Sequence, residues 1–338
     1  MTTFSARLVA FARYWLFPLV VAFGLLAGQA SADGARRFHS IAVFGDSLSD
    51  SGNLYLLTGG QFVAPPTYGM AGESLITLIP GLAYESKRLS NGPTWIELLG
   101  GAIGLGSYTR PAVPGALIGE DDGRAANYAV AGATAADVGA TQFPLDLQVG
   151  LFLRDTRGRA RRDGLHVIAI GGNDIRAALA NPAVIDLAVE AVVRNIRVLH
   201  AAGARTFLVW NVPNLGRTPA FQRLNAVVPG IADAATALSA AYNARLAERL
   251  GEVAGLRDIE LIRFDAFASL QQVQANPGRF GLTDATNACI QPGVPPLFRC
   301  AQPDRHLFWD GIHPTRAGHA IIAVLAGKAI VTALANDD

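Results

Sequence analysis

Apolar residues fall along this chain in short runs that alternate with longer stretches of three- and four-residue spacing. The runs at 40–44, 127–130, 166–170, 206–209 and 260–264 read as strands with buried faces. Helical spacing fills 94–99, 145–154, 184–200, 232–250 and 316–334. In the last of these, Ile321, Ile322, Leu325 and Ile330 mark one apolar stripe. Alternating strands and helices predict an α/β fold, with a parallel sheet covered by helices on both faces. Ligands of such sheets bind outside the carboxyl ends of the strands. Ser47 and the turn Gly171-Gly172-Asn173-Asp174 both follow predicted strands, so both fall on that edge.

The first 32 residues follow a different pattern. Arg7 and Arg13 accompany an apolar run from Trp15 to Ala27, too short for a comfortable bilayer span. Ala30-Ser31-Ala32 then has the small-x-small spacing that signal peptidase reads. The expectation is a signal peptide over 1–32, followed by a single catalytic domain over 33–338; an uncleaved membrane anchor is the alternative. No later apolar stretch reaches about 18 residues free of charge and turn residues. The leader holds two arginines and no acid, so the 28 basic side chains fall to 26 against 27 acidic ones. That balance gives no electrostatic case for a nucleic-acid partner.

Cys289 and Cys300 are the only cysteines, and they flank the proline-rich stretch Gln291-Pro292-Gly293-Val294-Pro295-Pro296. An exported chain meets oxidising conditions, so a disulfide between them is expected, with two buried thiols as the alternative. The close paired spacing of a zinc site with His306 is absent. Residues 58–88 are rich in glycine and proline, with apolar patches at Leu75-Ile76-Thr77-Leu78-Ile79 and Gly81-Leu82-Ala83-Tyr84. A loop of this length lines an acyl pocket, acts as a lid, or simply packs over the sheet edge.

Candidate chemistry lies near both ends. Phe44-Gly45-Asp46-Ser47-Leu48 offers a serine, and Asp310-Gly311-Ile312-His313-Pro314 offers a histidine and a carboxylate. A serine hydroxyl becomes nucleophilic at neutral pH when a base accepts its proton and a carboxylate holds that base. A tight strand-to-helix turn would expose Ser47 and aim backbone N–H groups at a developing oxyanion. The alternative is that Ser47 only caps that helix. Asp310 and His313 equally suit a structural loop, and His319, on the following helix, is a rival base on sequence alone. Gly132 offers a closely approachable backbone N–H and Asn173 a neutral side-chain donor. Each also suits a plain turn or cap.

These residues together resemble the GDSL, or SGNH, family of serine esterases and lipases. The run 44–53 resembles its first block and Asn127-Tyr128-Ala129-Val130-Ala131-Gly132-Ala133 its second. Gly171-Gly172-Asn173-Asp174 resembles the third, and Asp310-Gly311-Ile312-His313-Pro314-Thr315 the fifth. Ser90-Asn91-Gly92-Pro93-Thr94-Trp95 and Asn211-Val212-Pro213-Asn214-Leu215-Gly216 look like stretches of the larger bacterial members, near secreted lipolytic and haemolysin-like enzymes. The resemblance implies a flavodoxin-like three-layer α/β/α sandwich and no cofactor. It implies Ser47 as nucleophile, His313 as base and Asp310 as its partner. The oxyanion hole would be the N–H of Ser47, the N–H of Gly132 and the side chain of Asn173. The implied function is an exported, secreted or periplasmic, ester hydrolase acting on an acyl ester or lipid, with transient lipid-surface contact left open. Acyl transfer or phospholipase action on the same site, and a non-catalytic lipid- or glycan-binding protein, are the alternatives. The patterns carry no signal for an oligomeric state.

Overall fold

The computed structural model describes residues 38–63, 82–120, 124–139, 143–290 and 299–335. The expected signal peptide, the Leu75–Ile79 patch and the proline-rich stretch between the cysteines lie outside the described residues.

In chain order the strands are β1 (Ser40–Gly45), β2 (Phe62–Val63), β3 (Ala83–Tyr84), β4 (Gly164–Ala169), β5 (Thr206–Trp210), β6 (Glu260–Phe264), β7 (Asp284–Ala288) and β8 (His306–Phe308). The helices are α1 (Asn53–Leu57), α2 (Trp95–Ala102), α3 (Val113–Ile118), α4 (Leu145–Asp155), α5 (Gly172–Ala178), α6 (Val184–Ala201), α7 (Pro219–Asn225), α8 (Ile231–Val253), α9 (Ala266–Ala275) and α10 (Arg316–Ala335). The central sheet runs β1-β4-β5-β6, all parallel, with Gly45 opposite Ala169. Two small parallel pairs, β2-β3 and β7-β8, lie outside it.

The two-residue period of the strands builds the three layers. Ala42, Phe44, Ile168, Phe207 and Val209 face one way, into a core shared with α4, α6 and α8. Ile41, Val43, Leu165, Val167, Leu208 and Ile262 face the other, toward α2 and α10. α10 is long and apolar enough to cross a membrane by length and composition. Here its Gly318, His319, Ala320, Ala323, Ala326, Gly327 and Ile330 are buried against the fold.

The stretch 127–130, expected as a strand, is extended but not a regular one. It borders β1 through Tyr128 N–H to Val43 C=O (2.8 Å) and Val130 N–H to Gly45 C=O (3.2 Å). Its outward carbonyls, on Asn127 and Ala129, instead accept from Asn53 Nδ2, both at 2.8 Å. Ala129 N–H donates to the Asn127 side chain (3.0 Å). A backbone bridge to residues 110–112 (Asn127 N–H to Arg110 C=O, 3.2 Å; Ala112 N–H to Asn127 C=O, 3.0 Å) and the Asn53 amide together stand where a further strand would pair, and the sheet edge is closed. With this stretch counted second, the order is 2-1-3-4-5, that of flavodoxin-like sheets. The crevice of such sheets lies where strand order reverses, at the carboxyl end of β1.

Gly45 marks how tightly that crevice is built. A Cβ there would sit 2.7 Å from the Ala169 carbonyl oxygen. Gln148 on α4 clamps the same residue, accepting from Gly45 N–H (2.8 Å) and donating to its C=O (2.9 Å). Gly45→Ala is therefore expected to destabilise the fold by about 1–3 kcal/mol, since the obstacle is backbone. Urea denaturation checks it; an unchanged midpoint would mean that β1 and β4 do not approach this closely.

Candidate active site

The chain turns as soon as β1 ends. Ser49 and Asp50 N–H both donate to Asp46 C=O at 3.1 Å, and Leu48 N–H donates to Asp46 Oδ1 at 3.1 Å. Ser47 lies within this turn, and 8% of it is exposed. The helix expected directly after Ser47 is displaced: α1 begins only at Asn53, and the reading of Ser47 as a helix cap falls with it. Asp50 explains the displacement. Its Oδ1 accepts from Gly52 and Asn53 N–H (2.8 and 2.6 Å), and its Oδ2 accepts from Leu54 and Ala131 N–H (3.0 and 2.9 Å). One buried carboxylate thus starts α1 and ties it to the 131 loop.

His313 comes to Ser47 from the other end of the chain. Ser47 Oγ and His313 Nε2 are 2.8 Å apart, and His313 Nδ1 and Asp310 Oδ2 are 2.7 Å apart. Asp310 Oδ1 accepts from Ile312 and His313 N–H (2.9 and 2.8 Å), which folds the loop around its own carboxylate. Trp309 N–H donates to His313 C=O (2.7 Å) and closes that loop. Asp310 and His313 are buried; among the three groups Ser47 is the most open to solvent. His319 is buried as well, but its Nδ1 accepts from Trp95 N–H (3.2 Å) at the start of α2. Burial holds its ring down to about 3, and nearby His313 adds to the effect. It is a neutral packing residue at neutral pH, and the loop context separates the two histidines.

Asn173 sits in the first turn of α5 and lines the same cavity as Ser47. Its Nδ2 donates to Ala133 C=O (2.8 Å), and its Oδ1 accepts from Arg176 (3.1 Å). An amide NH2 has two hydrogens, so one is committed and one is left for a ligand. Gly132 holds φ +83, which favours glycine, but it is not among the residues lining the cavity. Asp174 fixes the same loop from below, accepting from Ala135 and Ala136 N–H (2.8 and 3.1 Å). Burial pushes its carboxyl up to about 7, against those two N–H groups, and nearby Asp46 pushes the same way. Burial also pushes Asp46 up to about 6, countered by Leu48 N–H and His313.

The cavity, of about 50 Å³, is walled by Leu48, Ile170, Trp210, Val212, Leu215 and Ile312 around these polar groups. An apolar slot beside a hydrogen-bonded serine suits an acyl or alkyl group next to a reactive carbonyl. Among the described residues, no group of three or more His, Cys, Asp and Glu side chains could hold a metal ion.

A family model described as GDSL-like lipase/acylhydrolase matches residues 41–325. The chain belongs to this family. Membership makes it a serine hydrolase of the ester-cleaving class. A GDSL esterase/lipase of Arabidopsis thaliana is 27% identical over 336 residues, covering 87% of this chain and 88% of its own. A phosphatidylcholine-sterol acyltransferase of Aeromonas hydrophila is 29% identical, covering 87% and 90%. A second Arabidopsis thaliana protein, named as an inactive GDSL esterase/lipase-like protein, is 25% identical over 83% of this chain and 70% of its own.

The bracing roles of several residues at this family site escaped sequence reasoning. The 90–95 block touches both reactive loops. Ser90 Oγ donates to Pro314 C=O (2.9 Å), Arg316 N–H donates to Asn91 Oδ1 (2.7 Å), and Trp95 Nε1–H donates to Ser49 Oγ (3.1 Å). Tyr84, read only as part of an apolar patch, donates its O–H to Asp310 Oδ2 at 2.8 Å. Gln148 left no signal inside its helical pattern. The disulfide Cys289–Cys300 forms as expected and packs in one buried cluster with Tyr84, Leu89, Ile290 and Trp309.

Asp174 supplies a pH test. Its carboxyl rises from an ordinary 3.8 to about 7 on folding, so the folded state keeps a proton that the unfolded chain has lost. The stability this contributes is full below pH 3.8 and is lost as pH rises to about 7. Asp174→Asn removes that titration. The variant should gain on wild type across this window, at up to about 1.4 kcal/mol per pH unit, and hold a level difference above it. Urea denaturation of both proteins over a pH series measures the difference; a constant gap would contradict the raised carboxyl.

Proposed function

We propose that the protein is an exported carboxylic ester hydrolase that works through an acyl-enzyme on Ser47. The observation that carries the reading is the unbroken hydrogen-bonded series from Ser47 Oγ through His313 to Asp310, at 2.8 and 2.7 Å. Ser47 Oγ attacks the acyl carbonyl while His313 Nε2 takes its proton. Asp310 accepts from Nδ1–H and offsets the imidazolium charge. The imidazolium then gives that proton to the leaving alcohol. Water then attacks the acyl-enzyme carbonyl while His313 takes its proton, the bond to Ser47 Oγ breaks, and the imidazolium returns that proton to Oγ as the acid leaves. The backbone N–H of Ser47, the N–H of Gly132 and Asn173 Nδ2 serve as oxyanion donors. Asn173 has the cavity position in its favour, and Gly132 rests on its place in the second motif block.

The leader sequence over 1–32 and the disulfide support export, and a family match over 41–325 supports one catalytic domain over 33–338. A second reading is acyl transfer, in which an alcohol or lipid takes the place of water at the same acyl-enzyme. The Aeromonas hydrophila relative, named as an acyltransferase, favours keeping it. Product analysis with an added alcohol acceptor separates the two.

Ser47→Ala should abolish ester hydrolysis in a protein that stays folded. A fluorophosphonate probe should label wild type at Ser47 and leave the variant unlabelled. Labelling of a different serine would sink the assignment.

Asn173→Ala should lower kcat by about a hundredfold or more, since a lost oxyanion donor typically costs about 3 kcal/mol in the transition state. KM should move far less, because the donor meets full negative charge only after attack. A raised KM at unchanged kcat, in steady-state assays with a nitrophenyl ester, would exclude this role.

A further inference from the structure

We infer that Tyr84 is a positioning residue for the proposed reaction: its phenol O–H sets how strongly Asp310 holds His313. The inference rests on the roles proposed above for Ser47, His313 and Asp310.

Tyr84 ends β3 and is fully buried. Its O–H donates to Asp310 Oδ2 at 2.8 Å, the same oxygen that accepts His313 Nδ1–H at 2.7 Å. The other oxygen, Oδ1, is already occupied by Ile312 and His313 N–H. Two donors therefore share the negative charge of Oδ2. A hydrogen bond to a carboxylate draws on that charge, so a stronger phenol bond weakens the pull on the imidazole, and a weaker one strengthens it. The loop fold of Asp310 needs only the two backbone donors, so the phenol is an addition to that turn rather than part of it.

The phenol is held firmly enough to act this way. Its ring stands edge-on to Trp309, with centroids 5.9 Å apart and planes at 89°. The Cys289–Cys300 disulfide belongs to the same buried cluster. Tyr84 N–H donates to Arg88 C=O (2.9 Å), and Lys87 N–H donates to Tyr84 C=O (2.8 Å), so the backbone is fixed in a turn. In the reaction the Ser47 Oγ–H bond breaks and the His313 Nε2–H bond forms. Tyr84 and Asp310 exchange no proton; the phenol acts only on the charge that faces Nδ1–H.

The test is Tyr84→Phe, which keeps the ring against Trp309 and deletes the O–H. With more charge left on Oδ2, the acid limb of the kcat/KM profile should move to higher pH, by roughly one unit. 3-Fluorotyrosine at position 84 is a stronger donor of the same shape and should move the limb the other way. A role confined to packing moves neither limb, and two unmoved limbs would overturn the inference. Should Tyr84→Phe fail to fold, the direction of the fluorotyrosine shift decides alone. Should wild type show no ester turnover and no probe labelling at Ser47, the proposed function fails by itself. Proton NMR of His313 Nδ1–H, which needs no substrate, then decides. A downfield move in Tyr84→Phe supports the inference, and an unmoved resonance overturns it.

Discussion

The buried Asp310 carboxylate is the constraint on which the rest of the site depends. A charge taken out of water is costly unless donors replace the lost solvation. Asp310 has four: two backbone N–H groups of its own loop, the His313 ring and the Tyr84 phenol. Satisfying it bends 310–313 into one shape and draws Tyr84 in from a segment more than two hundred residues earlier. It also points His313 Nε2 outward, toward Ser47. The geometry that suits proton transfer is thus the geometry that makes the buried charge tolerable.

A related constraint governs the other loops at the sheet edge. The segments 46–52 and 127–136 are irregular yet largely buried, and buried backbone needs partners. Strands would supply them by pairing; these loops use side chains. Asp50 serves four backbone N–H groups, Asn53 two carbonyls and Val113 N–H, and Asp174 two further N–H groups. Asn127 donates to Ser49 C=O and Ser51 Oγ, and so welds the second block to the first. This accounts for the length of the motif blocks. One serine and one asparagine would not hold position without the surrounding amides and carboxylates.

The fold was largely legible because its signals are local. Expected helices 94–99, 145–154, 184–200, 232–250 and 316–334 match α2, α4, α6, α8 and α10 within a few residues, and four of five strands match the central sheet. Short elements were missed because two or three residues, as in β2 and β8, carry no period, and α5 has only two turns. Ser47, His313 and Asp310 were legible as residue types, and their proximity became visible only in three dimensions. His313 and His319 look alike in sequence and are both buried. They differ in that one ring meets a carboxylate and the other a backbone N–H. Tyr84 was hidden for a similar reason, since an apolar context describes its ring and says nothing of its hydroxyl.

The disulfide joins this argument through its location. Closing a short loop limits the unfolded chain, and that effect would operate wherever the bridge stood. Here the bridge lies in the cluster that seats Tyr84 and Trp309, the residue before Asp310. Cys289 N–H and Ile290 N–H donate to Phe308 and Trp309 C=O (3.0 and 2.8 Å), so one end of the bridge is tied directly to the approach to the base. Oxidation therefore pins one side of a short path: cysteine cluster, Tyr84 and Trp309, Asp310, His313, Ser47. The proposed export and the proposed chemistry meet on that path, because the compartment that closes the bridge also supports the donors on which the buried carboxylate relies.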